Sequence, residues 1–223
     1  MAELVDYCRR FSPLEPESLA ELLEMSVTRK LRKGQYLLRK GQACRALYFI
    51  NSGLVKSCFT EGEKNFVMRF FHENLLFSIF DSYFTQTPSK FSLIALEPTT
   101  VTLIGHAGVE ALCKKYHSME TFFRKLLAVA TTKMTKRISE MLEGDATKRY
   151  ELFVEENSAI LQRVNVGDIA NYLGITPQSL SRIRGESRGG KSRGGESRDG
   201  ESRGGDRSGQ KLSNGKKSRV RRD

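Results

Sequence analysis

The chain has 223 residues, of which 39% are hydrophobic and 28% charged, and its formal net charge is +11. That length and apolar content allow a folded core in one large domain or two small ones. No apolar run approaches the roughly 20 residues that span a bilayer, so we exclude a membrane-embedded protein. The basic charge would suit a membrane surface as second candidate, but we predict no membrane partner. The positive charge favours an acidic polymer such as nucleic acid as partner, although simple solubility would also explain it.

The distribution of charge and the spacing of the cysteines further limit the kinds of protein that this chain can be. Residues 185–223 hold 12 of the 37 Lys and Arg residues and 6 of the 26 Asp and Glu residues, so more than half of the net charge lies in this tail. The cysteines lie too far apart for a zinc-knuckle or iron–sulfur spacing; they are Cys8, Cys44, Cys58 and Cys113. Free thiols without a secretory leader predict a cytoplasmic protein.

The first half of the chain predicts helices followed by a β-domain. Residues 4–25 have apolar residues at helical spacing, and Pro13 and Pro16 divide them into two short helices. From Leu31 to Ile104, short runs rich in aromatic and β-branched residues alternate with glycine, which is typical of antiparallel strands. Strands this short and this numerous predict a small antiparallel β-barrel or jelly roll.

A long helix follows, with one apolar stripe. Its residues are spaced by three or four positions: Met119, Phe123, Leu126, Ala130, Met134, Ile138 and Met141. Such a stripe resembles a coiled-coil seam and predicts pairing with the same helix of a second subunit. The alternative is that the stripe packs only on its own barrel.

The segment Val166–Arg184 has the spacing of a helix-turn-helix. Asp168 suits a helix start, and Gly174 suits a tight turn with positive φ. Thr176 suits an N-cap and Pro177 a first helical position. An ordinary helical hairpin is the alternative. If the second helix enters the major groove, its N-terminal side supplies the DNA contacts.

We assign those contacts residue by residue. Side chains expected at base edges are Thr176, Gln178, Ser179 and Arg182, because Gln can bond adenine and Arg guanine. Ser181 and Arg184 are expected at backbone phosphates.

The order of barrel, long helix and helix-turn-helix resembles the Crp/Fnr family of bacterial transcription regulators. The resemblance rests on the stretches KGQYLLRKG (33–41), LYFINSGLVK (47–56) and YLGITPQSLSRIR (172–184), the last similar to members from Bacteroidetes-type bacteria. It implies a cyclic-nucleotide-binding-like barrel in a homodimer. It also implies a near-palindromic site on double-stranded DNA and RNA polymerase as a further partner.

The chain departs from the family pattern for binding cyclic nucleotides. Members that bind them carry Gly-Glu-Leu at a helix start and then Arg-Ser or Arg-Thr, whereas this chain has Leu75–Asp81 and then Pro88–Ser92. We therefore expect an unknown small-molecule effector or none, and no other cofactor. Candidate pocket residues are Phe77, Ser78, Lys90 and Phe91, although the phenylalanines would serve equally as barrel core.

The elements together predict an α+β chain. Its regions are an N-terminal effector domain (1–110), a dimerisation helix (111–143), a helix-turn-helix DNA-binding domain (144–185) and a disordered basic repeat tail (186–223). Gly185 is expected to end the recognition helix. The tail is open to three interpretations: a solvated segment, a weak binder of the nucleic-acid backbone, or the product of an altered reading frame.

We predict a homodimeric, sequence-specific DNA-binding transcription regulator. The alternative is a ligand-sensing or protein-interaction module that has lost specific DNA binding. The sequence has no nucleophile elbow, P-loop, metal-ligand spacing or paired-carboxylate motif. We therefore predict no enzyme activity, no catalytic residue and no metal site.

Overall fold

The computed structural model describes residues 2–191. Its helices are α1 (Ala2–Phe11), α2 (Pro16–Glu24), α3 (Phe80–Thr85), α4 (His106–Lys115), α5 (His117–Glu143), α6 (Ala146–Glu156), α7 (Val166–Leu173) and α8 (Pro177–Lys191). Its strands are β1 (Ser26–Leu31), β2 (Tyr36–Leu38), β3 (Ala46–Ser52), β4 (Val55–Glu61), β5 (Lys64–Phe71), β6 (Leu76–Phe77), β7 (Ser92–Ala95) and β8 (Thr99–Gly105). The predicted α+β class, with antiparallel strands and a long helix, is confirmed.

The strands form two antiparallel sheets of four. One has the order β1-β8-β3-β6 and the other β2-β7-β4-β5. Glycine makes one of the turns between them possible, because Gly53 has φ +96° and an added Cβ would lie 2.5 Å from Thr99 Oγ1. Large side chains fill the space within the barrel and beneath α5, among them Phe49, Leu93, Ile104 and Phe122.

The long helix begins later than predicted. Residues 111–115 belong to α4, and α5 starts only at His117. Tyr116 separates the two helices with extended backbone angles of φ −125° and ψ 119°. Its hydroxyl bonds the carboxylate of Glu21 in α2 at 2.8 Å. A tertiary contact therefore accompanies a break that no glycine or proline announces in the sequence.

The C-terminal helices pack on the barrel. Phe70 of β5 lies against Phe153 of α6 and Tyr172 of α7, with ring centroids 6.0 and 5.5 Å apart. Lys56 of β4 pairs with Asp168 of α7 at 2.5 Å, and both side chains are largely buried. We call α6, α7, α8 and the short 3₁₀ turn Ser158–Ile160 the helical unit. Apolar and ionic contacts together join this unit to the barrel.

The expected helix end at Gly185 is corrected. α8 continues through Gly185 to Lys191, six residues into the segment predicted to be a disordered tail. A glycine within a helix costs only about 1 kcal/mol relative to alanine, so it need not end one. Arg182 and Glu186, one turn apart across Gly185, approach to 3.7 Å. The rest of the predicted tail, residues 192–223, lies outside the described residues.

Candidate nucleic-acid interface and adjoining cavity

Local capping fixes the two helices α7 and α8 at a tight turn. Asn165 caps α7 by accepting a hydrogen bond from the Asp168 N–H at 2.8 Å. Gly174 ends α7 in the left-handed region at φ 70°. Thr176 Oγ1 caps α8 by accepting from the Ser179 N–H at 3.1 Å, and α8 begins at Pro177. The turn and cap expected of Gly174, Thr176 and Pro177 are therefore present.

Asp168 lies in the first turn of α7, as predicted for a helix start, but it does not cap the helix. Asn165 supplies the cap, and the carboxylate of Asp168 faces the barrel instead. It accepts hydrogen bonds from Lys56 Nζ at 2.5 Å and from Asn165 Nδ2 at 2.8 Å. Because β4 lies 112 residues away in the chain, the local pattern could not reveal this partner.

The inner faces of α7 and α8 are apolar and buried. Ile169, Ala170, Leu173 and Leu180 are fully buried, and Ile183 is 2% exposed. The first four pack in one cluster with Phe153 of α6, which fixes the orientation of α8.

The opposite face of α8 presents polar side chains to solvent. Gln178, Ser181 and Arg182 are exposed, and helical spacing brings them to one side. Arg182 is 73% exposed, and its only ion-pair contact among the described residues is a long one to Glu186. Amide and guanidinium groups in this position are free to reach hydrogen-bond partners outside the chain.

The side chains of the other predicted DNA-contact residues are less available to a partner. Thr176 is exposed, but its hydroxyl serves the helix cap and lies 3.0 Å from that of Ser179. Ser179 is half-buried. Arg184 lies with its guanidinium 5.8 Å from the ring centroid of Tyr150, and its buried Nε has no hydrogen-bond partner among the described residues. The exposed set is therefore smaller than the six residues singled out from the sequence.

The apolar stripe of α5 is covered only at its N-terminal end. Met119, Phe123 and Leu126 are buried against the barrel. Farther along, apolar side chains remain exposed to solvent, namely Val129, Met134, Ile138, Met141 and Leu142. One half of the stripe therefore packs on the barrel, as the alternative interpretation expected. The other half has an open apolar face, and its pairing with a second subunit stays a prediction.

A cavity of about 550 Å³ lies between the barrel and α5. Phe77, Ser78 and Phe91 line it, as proposed from the sequence. Lys90 does not, and this part of the proposal is corrected, because Lys90 is exposed outside the cavity. The neighbouring Ser89 is buried, and its hydroxyl donates to the Phe91 carbonyl and accepts from the Phe91 N–H.

Two cations of this cavity were missed by sequence reasoning. Arg69 of β5 and Lys133 of α5 line it, and both also line a neighbouring polar cavity of about 380 Å³. Burial lowers the pKa of the Arg69 guanidinium. Burial, and then the charge of Arg69, lower the pKa of Lys133. The signal in the sequence was a charged residue inside the apolar run Phe66–Phe71.

The polar cavity adjoins the helical unit. The Arg137 guanidinium donates a hydrogen bond to the Tyr172 carbonyl and lies over the Tyr172 ring, 3.7 Å from its centroid. Lys136 pairs with Glu156 of α6. The C-terminal half of α5 thus contacts both α6 and α7.

A second ionic contact joins the helical unit to the barrel. Arg163 pairs with Glu73 at 2.7 Å and with Glu97 at 2.6 Å. Burial opposes ionisation of Glu73, but hydrogen bonds from Arg163 and from backbone N–H groups outweigh it and lower the pKa of Glu73 to about 2. The same two carboxylates raise the pKa of Arg163.

Residues 2–191 contain neither a membrane-spanning helix nor a metal-binding cluster. None of the helices there combines the length and the apolar character needed to cross a membrane. No group of three or more His, Cys, Asp or Glu side chains in that range is arranged to hold a metal ion.

Comparison with known proteins gives the relatives of this chain. The sequence model of the cyclic nucleotide-binding domain family matches residues 28–116. The fumarate and nitrate reduction regulatory protein of Vibrio cholerae is 26% identical over 182 residues, which cover 76% of this chain and 72% of that protein.

Two solved structures share the fold. FixK2 from Bradyrhizobium japonicum superposes with a TM-score of 0.67 at 16% identity, covering 74% of this chain and 86% of that one. A protein assigned to the crp/fnr family of transcriptional regulators in Eubacterium rectale gives a TM-score of 0.62 at 15% identity, with 81% and 88% covered. The resemblance identified from sequence motifs is confirmed by these matches.

Proposed function

We propose that this chain is a regulator of the Crp/Fnr type, which binds specific sites on double-stranded DNA as a homodimer to regulate transcription. The exposed polar face of α8 carries this proposal. Gln178 and Arg182 project from the helix side opposite the buried Leu180 and Ile183. A helix anchored in this way is suited to the major groove, with α7 and α8 acting as a helix-turn-helix.

The open half of α5 supports the homodimer. Ile138 is 53% exposed and Leu142 81% exposed on an otherwise amphipathic helix. A two-fold axis along this helix would bury both residues against their copies in the second subunit. Two recognition helices related in this way would read two half-sites about one turn of DNA apart. RNA polymerase is the partner that such a regulator would recruit or block.

We further propose that the effector is not a cyclic nucleotide. A cyclic phosphate would need a cation and free N–H groups at a helix start. Here Asp81 lies in the first turn of α3 and lines the cavity, so it would repel a phosphate at that helix. The hydroxyl of Ser89 is already engaged with the Phe91 backbone.

Selection of bound duplexes from a random DNA pool tests this function. We expect the full chain to recover a near-palindromic motif at physiological salt. Arg182→Ala should relax one base position in each half-site, with a loss of about 1–3 kcal/mol of discrimination. Arg9→Ala removes an equal charge from α1, on the barrel side of the molecule, and should leave the motif unchanged. Recovery of no motif would favour an interaction module that has lost DNA binding.

A further inference from the structure

The cavity between the barrel and α5 has an apolar interior. Its walls come from β4, β5, β6, α3 and α5, and most of its lining is carbon. The side chains that would contact a ligand body are Phe71, Leu76, Phe77, Phe91, Leu126 and Ala130. Cavities of this size and character suit a small organic molecule.

Several polar groups also line the cavity. The Ser78 hydroxyl already donates to the Ala46 carbonyl at 2.9 Å and lies 3.2 Å from the sulfur of Cys44. Asp81 is exposed to solvent at the cavity edge. The hydroxyl-bearing residues Tyr7, Ser57, Thr131 and Thr135 also line the cavity, and its cations are Arg69 and Lys133.

These two cations have no acidic partner within residues 2–191. Neither forms an ion pair within 4.0 Å, and the Arg69 guanidinium lies 5.3 Å from the Phe71 ring centroid. Glu156 is the carboxylate that favours a charge on Lys133, but it pairs with Lys136. Arg69 is half-buried and Lys133 is exposed at the cavity edge. Two neighbouring like charges that have no counterion among the described residues favour the arrival of an anion.

We propose that this cavity binds a small organic acid with an apolar body, whose acid group lies between Arg69 and Lys133 and whose body packs against Phe71, Phe77 and Leu126. This inference rests on the proposed function in one respect: the ligand is an effector only if the chain is a regulator. Arg69 can bond a carboxylate or sulfonate through two N–H groups, while Lys133 supplies a point charge.

The position of the acid group links the ligand to the helical unit. Arg69 and Lys133 also line the polar cavity, where Arg137 holds the backbone of Tyr172 in α7. Neutralising two of the cations there changes the electrostatic field on the contact between α5 and the helical unit. A ligand in the barrel can therefore bias the position of α8 without touching it.

Two fluorescent probes that share an aromatic body test the proposal. 8-Anilinonaphthalene-1-sulfonate carries an acid group, and N-phenyl-1-naphthylamine does not. Each is titrated into the full chain in the absence of DNA. We expect Arg69→Gln and Lys133→Gln each to raise the dissociation constant of the sulfonate probe about tenfold, or about 1.4 kcal/mol. Neither variant should change the dissociation constant of the neutral probe as much as twofold.

A matched control and a blocking variant complete the design. Lys136→Gln makes the same change one turn along α5, at a lysine that pairs with Glu156 and does not line the apolar cavity. Lys136→Gln should change the dissociation constant of the sulfonate probe less than twofold. Ala130→Trp fills the cavity and should abolish binding of both probes. Thermal melts by circular dichroism confirm that each variant is folded.

Several outcomes would overturn the proposal. These are equal affinity of the sulfonate probe for the parent and both glutamine variants, equal losses for the two probes, and undiminished probe binding by Ala130→Trp. Displacement of the probe by cyclic AMP as readily as by 1-naphthoate would also refute an apolar acid. Because DNA selection is a separate measurement, recovery of a motif alongside any of these results would leave the proposed function intact.

Discussion

The two halves of α5 share one apolar spacing but lie in different surroundings. In the N-terminal half, Phe122 is 1% exposed and Leu126 3% exposed against the barrel. In the C-terminal half, Ile138 is 53% exposed, while Arg137 on a neighbouring side of the helix bonds the helical unit. The spacing defines which face is apolar, and the rest of the fold decides what covers that face.

The largest expected loss of stability comes from truncating a buried side chain in the N-terminal half of α5. Phe122 packs edge-on against Phe11 at 5.3 Å and Tyr7 at 6.4 Å. Phe122→Ala should lower the free energy of unfolding by about 3–5 kcal/mol, because it leaves a cavity in the core. Urea denaturation measures the loss. Thr132→Ala, at an exposed site on the same helix, should stay within about 0.5 kcal/mol of the parent; equal losses would contradict the comparison.

The exposed C-terminal half of α5 should contribute to dimer formation. Ile138→Glu places a charge on the open stripe twice in each dimer. We expect the dimer dissociation constant to rise roughly 100-fold, or about 2.8 kcal/mol, in sedimentation equilibrium. Thr132→Glu adds the same charge about 120° around α5 from Ile138 and should leave the constant within a few-fold. An unchanged constant for Ile138→Glu would place the dimer interface elsewhere.

The contact of α5 with the helical unit should be weaker than its contact with the barrel. Arg137→Ala removes a guanidinium that bonds the Tyr172 carbonyl and stacks on its ring. We expect a loss of about 2 kcal/mol in the free energy of unfolding, from the lost hydrogen bond and cation–π contact. Arg137→Lys should restore only part of it. A loss below about 0.5 kcal/mol would show that this contact does not hold the unit.

The smallest effect should appear in acid, and it should distinguish the ionic contact from the apolar one. The folded-state pKa of Glu73 is about 2, below its ordinary value of 4.5. Its contribution to stability is therefore fully present above about pH 4.5 and is lost as the pH falls toward 2. Glu73→Gln should reduce the slope of stability against pH between 5 and 3 in urea titrations. An unaltered slope would mean that Arg163 does not stabilise this carboxylate.

Sequence reasoning succeeded where the interactions are local. The turn at Gly174, the cap at Thr176 and the start of α8 at Pro177 each depend on residues within a few positions. Two helices separated by Pro13 were predicted for the same reason. Their use as a DNA reader remains a proposal, since the exposed face of α8 has to be matched with a partner.

Sequence reasoning failed where parts of the molecule that are distant in the chain come into contact. Asp168 was assigned to its own helix, but its partner Lys56 lies 112 residues away. Lys90 was chosen for its charge near a family motif, whereas the cations in the cavity come from β5 and α5. Side chains from two elements define such a site, and neither element alone indicates the other.

The sequence by itself determined the antiparallel strands, the long amphipathic helix, the turn at Gly174 that ends α7 and the Thr176 cap of α8. These follow from backbone preferences and from apolar spacing, which act over one or two turns. The tertiary structure decided that α5 begins at His117, that its stripe is covered over only one half, and that Arg69 and Lys133 face one cavity. Those outcomes depend on packing and charge between elements far apart in the chain.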